Sequence, residues 1–212
     1  MLCIYYADVS GLPDQGGALP LSSYRLAKRS SCRLPRNRRQ GLGAELLLIH
    51  ALRERDPAFP LPLSIETGPE GKPCLRGEAL SFSLTHSGET AACALCDGPV
   101  GIDLEAERPL QESVLRRCFS QREQRLVLEA QRPAAAFARL WTQKESYLKA
   151  TGEGLRSLGG IDLLSPPEDA FFYHTQQAGL LLSVCVLGRP ALPDRIEEVA
   201  LSRAFLNNLM QD

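Results

Sequence analysis

The feature that most constrains the fold is a change of hydrophobic period partway along the chain. Over residues 63–105 the apolar residues fall in short runs broken by turn residues: one near Ile65, then residues 80–85, 90–95 and 100–105, with Glu70-Gly71-Lys72-Pro73 as a turn. Such runs are the pattern of strands, and Asp97-Gly98-Pro99 separates the last two as a hairpin turn would. After Pro109 the period becomes helical. Ser120 and Glu123 have the spacing of a capping box, with Leu126 and Ala130 continuing that helix. A longer helix is expected over about 133–151, stopped by Gly152 and Gly154. Strands gathered in one stretch and helices in the next specify the α+β class.

The flanks are simpler. Residues 2–7 read as a first strand, residues 11–20 as a loop rich in glycine and proline, and residues 39–55 as a helix with Leu42, Leu46, Ile49 and Leu52 on one face. Strands are expected over 171–175 and 180–186 and near Val199, with a short final helix. The 212 residues suffice for one large domain or two of about 100 residues each. A net charge of −1 argues against a polybasic nucleic-acid binder. Residues 15–44 nevertheless hold seven bases and no acid, either a solvated face or a phosphate-binding surface. No apolar run approaches the roughly 20 residues that span a bilayer. The first ten residues lack the pattern of a signal peptide, and seven cysteines, an odd number, point to reduced thiols and a cytoplasmic protein. Cys93 and Cys96 form a C-x-x-C with no second pair, so buried structural thiols are expected there.

Asp103 and Glu105 are the first candidates for chemistry. Two residues apart on a strand, they share a face, roughly 6.6–6.8 Å apart along it. At about 5 Å and an effective dielectric of 20 their repulsion is roughly 3 kcal/mol. This is either an ordinary strand face with two acids or a site for a cation such as Mg²⁺, which takes oxygen ligands. On the long helix, Glu145 lies one turn after Trp141, the only tryptophan, and one turn before Lys149. Glu145 and Lys149 form either a plain surface ion pair or, with Asp103 and Glu105, a metal site with a phosphate-neutralising lysine beside it. Lys144 is roughly 100° further round the helix and would reach a ligand from another side. His86, at a strand end among hydroxyls, is either structural or a phosphate contact. Four of the 24 basic side chains are lysines, Lys28, Lys72, Lys144 and Lys149. Against a background of arginine, they mark places where a compact point charge is preferred to a planar fork.

These residues carry a resemblance. Gly71-Lys72-Pro73, the run Ser-Phe-Ser-Leu-Thr-His-Ser at 81–87, Gly-Ile-Asp-Leu-Glu at 101–105, Phe-Ser-Gln-Arg-Glu at 119–123 and Trp-Thr-Gln-Lys-Glu-Ser-Tyr-Leu-Lys-Ala-Thr-Gly-Glu-Gly-Leu at 141–155 follow one another in order. Together they resemble the ordered motifs of the Sfp-type 4′-phosphopantetheinyl transferases. Ser83, Thr85 and Ser146 stand where that family more often has asparagine, serine and alanine.

The resemblance implies transfer of the phosphopantetheine arm of coenzyme A to a serine of an apo acyl or peptidyl carrier protein, with release of adenosine 3′,5′-bisphosphate. It implies two similar α+β subdomains, 1–98 and 99–212, related by a pseudo-twofold axis, in a monomer. Asp103, Glu105 and Glu145 would bind Mg²⁺, with Glu145 also a candidate base. Lys149 would contact the phosphate under attack, and Thr85 and His86 the 3′-phosphate. Lys72 would lie near the adenine, with Lys28, Arg39 and Lys144 as further coenzyme contacts. Carriers of fatty acid, polyketide and non-ribosomal peptide synthesis are the partner class, with no nucleic acid or membrane. Two other readings remain: a coenzyme A or nucleotide-binding module without catalysis, and a nucleic-acid binder built on the basic block.

Overall fold

The structure is a computed structural model and describes residues 1–14, 17–68 and 70–210. Gln15 and Gly16, inside the loop expected over 11–20, lie outside the described residues. Strand β1 (Leu2–Asp8) leads to helices α1 (Ser23–Ser31) and α2 (Pro35–Arg55). Helix α2 starts at Pro35 rather than near Arg39, because proline fits the first helical turn, where its missing N–H has no partner to lose. Helix α1 was not expected. Ser22 caps it, accepting from the Arg25 amide, but none of its residues is buried and its period is carried by bases and serines, so it does not read as a core-facing apolar stripe.

Strands β2 (Ile65–Thr67), β4 (Ser81–Ser87), β5 (Thr90–Cys96) and β6 (Val100–Glu105) follow as the periodicity predicted, while the short β3 (Pro73–Leu75), which pairs with β2 after the turn at 70–73, was not expected. The turn at 97–99 is not a hairpin. Strand β5 already pairs with β1 along one edge and β4 along the other, so β6 has no free edge to join and opens a second sheet. Asp97 holds the crossing point by accepting from the Met1 ammonium and the Arg189 guanidinium.

Helices α3 (Glu112–Cys118), α4 (Gln121–Glu129) and α5 (Pro133–Thr151) come next, then a 3₁₀ turn (Leu155–Gly160), β7 (Ala170–Gln177), β8 (Leu180–Leu187), β9 (Arg195–Glu198) and α6 (Arg203–Leu209). The first sheet has the order β4-β5-β1-β9 and the second β6-β8-β7. One long helix packs each sheet: α2, through Leu46, Leu48 and Leu52, against Tyr5, Phe82 and Leu95, and α5 against β6 and β8. The last strand returns to the first sheet, parallel to β1, and Val199 and Leu209 enter its core. The α+β expectation is met. No helix among the described residues is long and apolar enough to cross a membrane. Cys93 and Cys96 are buried and unpaired, with burial holding both thiols above their usual pKa.

Two close approaches set the site. Ile102 N donates to Ser83 Oγ at 3.1 Å, tying β4 to β6 across the gap between the sheets. Gly101 lies under α5, where a Cβ would overlap the Ser146 carbonyl and the Ala150 amide, so only glycine lets α5 sit this low on β6.

Candidate active site

Strand β6 points Ile102 and Leu104 into the core and turns Asp103 and Glu105 to the opposite face, as the two-residue period requires. Helix α5, seated over Gly101, brings Glu145 and Lys149 above them. The Lys149 ammonium lies 2.6 Å from Asp103 Oδ1 and 3.5 Å from Glu145 Oε2. From β4, Thr85 Oγ1 donates to the same Asp103 oxygen at 3.0 Å. Ser87 Oγ reaches Glu105 Oε2 at 3.5 Å, and Arg108 pairs with Glu105 at 3.1 Å. Strands from both sheets and one helix thus supply the cluster.

Its electrostatics are out of balance. Burial, and then the charge of Asp103, push the Glu145 carboxyl up to about 7 despite Lys149. Burial and Asp103 raise Glu105 as well. Burial works to lower Lys149, but Asp103 and Glu145 outweigh it and hold the ammonium charged. One lysine therefore faces three carboxylates. Asp103 Oδ2 is buried with no hydrogen-bond partner, an acceptor left vacant in a site that carries excess negative charge.

These side chains line a cleft of about 550 Å³ that also receives Lys72, Thr85, His86, Tyr24 and Arg25. Partial desolvation, then the charges of Lys149 and Arg25, lower the His86 pKa and favour its neutral imidazole. Arg25 was not singled out by the sequence beyond its place in the basic block. Its guanidinium packs over Gly41 and is anchored by Glu45, a fully buried carboxylate 3.3 Å away that also accepts from the Ser22 amide and hydroxyl. The signal was there in Gly41, beside which a long side chain can lie flat, and in Glu45, an acid inside the run Leu42 to Leu48.

Not every expected residue reaches the cleft. Lys144 is fully buried on another face of α5, paired with the fully buried Glu123 at 2.9 Å, and it donates to the carbonyls of Leu158 and Ile161. It is a tie between α4, α5 and the 3₁₀ segment and does not line the cleft. Glu123 closes the expected capping box with Ser120 and accepts from Leu163 N. Lys28 is exposed on α1 with its ammonium 5.7 Å from the Tyr24 ring centre, and Arg39 faces Glu89 at 3.6 Å; neither lines the cleft. Lys72 lines the wall with its stem, while its ammonium donates to the carbonyls of Val100 (3.2 Å) and Ala150 (2.9 Å), clasping β6 to the end of α5. Ser146 meets Ser183 of β8 at 3.0 Å.

Among the described residues no three His, Cys, Asp or Glu side chains form a closed metal cage. The donor set still suits Mg²⁺, which dehydrates reluctantly and is usually held by one or two carboxylates together with substrate phosphates and water. The vacant Asp103 Oδ2 beside Glu145 and Glu105 is such a partial, all-oxygen set.

Comparison with known proteins agrees with the geometry. A family model described as the 4′-phosphopantetheinyl transferase superfamily matches residues 99–187, which include β6 and α5. The 4′-phosphopantetheinyl transferase HetI of Nostoc sp. is 34% identical over 176 residues, covering 79% of this chain and 74% of HetI. The 4′-phosphopantetheinyl transferase psf-1 of Bacillus pumilus is 37% identical over 123 residues, 55% of this chain and 52% of psf-1. The enzyme Sfp of Bacillus subtilis is 33% identical over 112 residues, 51% of this chain and 46% of Sfp. The match thus spans about half the length of two of these relatives and about three quarters of the third. The chain belongs to the 4′-phosphopantetheinyl transferase superfamily.

Proposed function

We propose that this protein transfers the 4′-phosphopantetheine of coenzyme A to a serine hydroxyl of an apo acyl or peptidyl carrier protein. The serine oxygen bonds to the phosphorus that carries the pantetheine arm, the pyrophosphate P–O bond breaks, and adenosine 3′,5′-bisphosphate leaves. The observation that carries this is the convergence of Asp103, Glu105, Glu145 and Lys149 in one cleft that Arg25 and His86 also line. Such a cleft has carboxylates and a lysine for a pyrophosphate and, in Arg25, a second cation for the 3′-phosphate.

Asp103, Glu105 and Glu145 are the residues that would hold Mg²⁺, which when bound supplies charge neutralisation on the pyrophosphate. The chain's own side chains do the rest. Lys149 places its ammonium against the phosphate oxygens, where charge redistributes as the serine attacks. Glu145, with a carboxyl near 7, is matched to take the serine proton. Arg25, held rigid by Glu45, and His86 orient the 3′-phosphate end; Thr85 holds Asp103 in place. Lys72 keeps α5 seated on β6. One long helix on each sheet supports two pseudo-twofold halves, 1–98 and 99–212, with β9 and α6 folded back onto the first.

Intact-mass analysis of apo carrier proteins incubated with coenzyme A and Mg²⁺ tests the proposal. Wild type adds one phosphopantetheine per carrier; Asp103→Ala and Glu145→Ala add none within the same time. Full activity of Asp103→Ala at saturating Mg²⁺ would show that the metal assignment is wrong.

A further inference from the structure

The first turns of helix α2 carry Arg36, Arg39 and Gln40, none of which lines the cleft, although Gly41 and Ala44 just beyond them do. What they hold is the end of strand β4. That strand is the last of its sheet, with main-chain pairing to β5 alone. Toward β6 it is held by single side-chain bonds, from Ser83 at 3.1 Å, from Thr85 at 3.0 Å and, weakest, from Ser87 at 3.5 Å. The end of β4, where His86 leads into the tight turn Gly88-Glu89, is thus its least secured part. Helix α2 supplies the support. The Gly88 carbonyl accepts from Gln40 Nε2 at 2.7 Å and from Arg36 Nε at 3.1 Å, which takes up both its lone pairs. The Glu89 carboxylate faces Arg36 at 3.3 Å and Arg39 at 3.6 Å, and the Glu89 carbonyl accepts from the Val9 amide at 2.8 Å.

These contacts are unequal. The Arg36 and Glu89 side chains stand in water, where an ion pair weighs little. Gln40 is only 6% exposed, and a buried amide that loses its partner has no water to replace it. Gly88 follows His86 by two residues, so a fixed Gly88 carbonyl fixes the backbone that carries the imidazole. From the same helix, Glu45 anchors Arg25. Helix α2 thus holds both side chains that meet the 3′-phosphate, one through Glu45 and the other through the turn. Resting on the transferase reading, we propose that Gln40 is a positioning residue that acts through the Gly88 carbonyl on His86, and so sets how strongly the enzyme prefers coenzyme A to 3′-dephospho-coenzyme A. A hydrogen bond from imidazole to phosphate weakens steeply with misalignment. A co-substrate without that phosphate is indifferent to where His86 lies. Arg39, expected as a coenzyme contact, belongs to the same clamp.

Calorimetric titration of the full chain with coenzyme A and with 3′-dephospho-coenzyme A, in the presence of Mg²⁺, tests this. Wild type should bind coenzyme A about tenfold or more tightly than the dephospho form. Gln40→Met keeps the length of the side chain and removes the donor. It should raise the Kd for coenzyme A about five- to tenfold and leave that for the dephospho form within about twofold. His86→Ala should show the same selective loss, and Gln40→Met/His86→Ala no further one, because the two act in series. Arg36→Leu, at an exposed side chain, should shift the ratio the same way by about twofold, and it carries the test if Gln40→Met does not fold. In transfer to an apo carrier protein the loss should appear in the KM for coenzyme A. Equal weakening of both co-substrates would make Gln40 merely structural and overturns the proposal. So do an unchanged ratio in the folded variant, additive losses in the double variant, and a wild type with no preference. The expected binding pattern in a wild type that transfers nothing would sink the transferase reading and leave the role of Gln40 standing.

Discussion

Two lysines five residues apart on α5 meet carboxylates and come to opposite ends. Lys144 and Glu123 are both fully buried, and each charged group has further partners: carbonyls of Leu158 and Ile161 for the ammonium, amides of Ser120 and Leu163 for the carboxylate. The Phe119 ring covers the ammonium at 5.3 Å. That site is complete, with nothing left to bind. Lys149 has the same chemistry in an unfinished setting. Its ammonium faces Asp103 and Glu145, three carboxylates share it with only Arg108 at the edge, Asp103 Oδ2 has no partner, and Glu145 is driven up to about 7. An ion pair that satisfies every lone pair is structure; one that leaves charge over is a binding site. Burial alone does not separate the two cases, since Asp103 is itself 3% exposed.

The largest expected effect follows from breaking the completed pair. Lys144→Met leaves Glu123 buried without its cation and should cost about 3–5 kcal/mol of unfolding free energy. The double variant Lys144→Met/Glu123→Leu should recover much of that loss in urea denaturation. Lys149→Met should behave the other way round. Its cluster lines the cleft, and Glu145, already near 7, can take up a proton when the cation is lost, so stability should fall by less than for Lys144→Met, about 1–2 kcal/mol. Transfer to the carrier should fall by about 10²-fold, because a preorganised charge at the reacting phosphate is gone. If both variants unfold alike while activity per folded molecule is retained, the distinction between the two lysines fails.

Much of this contrast was legible in the sequence, and the failures have physical causes. The two-residue period placed Asp103 and Glu105 together, and the helical period placed Glu145 with Lys149, because those spacings are local geometry. Helix α5 ended where Gly152 adopts φ 82°, a conformation that favours glycine. Lys144 was misread as a coenzyme contact because position on a helix says which way a side chain leaves, and nothing about what α4 and the 3₁₀ segment bring to meet it. The Glu123 capping box was visible, but its second task, holding Lys144, is tertiary. The hairpin expected at 97–99 failed for a topological reason, since β5 had both edges occupied. Helix α1 stayed hidden because its two faces differ through Arg25, Lys28 and Arg29 on one side and mostly serines on the other, with too few apolar residues to read as a core-facing stripe, and Arg25 stayed hidden with it.

Arg25 and Glu45 form a third pair between the two extremes, with the acid sealed and the base open to the cleft. Burial raises the Glu45 carboxyl above its usual pKa, while Ser22 and Arg25 pull it back. Arg25→Leu removes part of that opposition, so the Glu45 pKa rises further in the folded state. An acid whose folded pKa is raised contributes stability below its unfolded value, and that contribution is lost as pH rises through the folded one. The variant should therefore be about 1–2 kcal/mol less stable than wild type near pH 8, with the gap closing toward pH 5 as Glu45 takes up a proton. Urea midpoints across that range measure it, and a gap that widens in acid would mean that Glu45 is not what Arg25 stabilises. Activity should fall through a raised KM for coenzyme A, with kcat less affected.

The smallest effect tests the same rule without charge. Ser146 lies between Lys144 and Lys149 on α5, and its hydroxyl meets Ser183 on β8 at 3.0 Å with both residues fully buried. The pair is closed, as Lys144 and Glu123 are, but neutral, so its disruption leaves one unsatisfied hydroxyl rather than a bare ion. Ser146→Ala should cost about 1 kcal/mol through the Ser183 hydroxyl it strands. Ser183→Ala should cost less, because Ser146 Oγ keeps its bond to the Gln143 carbonyl at 2.8 Å. The double variant should be no worse than Ser146→Ala alone, a coupling of about 0.5–1 kcal/mol in a double-mutant cycle. Transfer rates should stay within about twofold, since the Gly101 contact, rather than this bond, sets how low α5 sits over Asp103. A fall in kcat in Ser146→Ala without a loss of stability would instead make the hydroxyl pair a positioning element for Glu145, its neighbour in sequence.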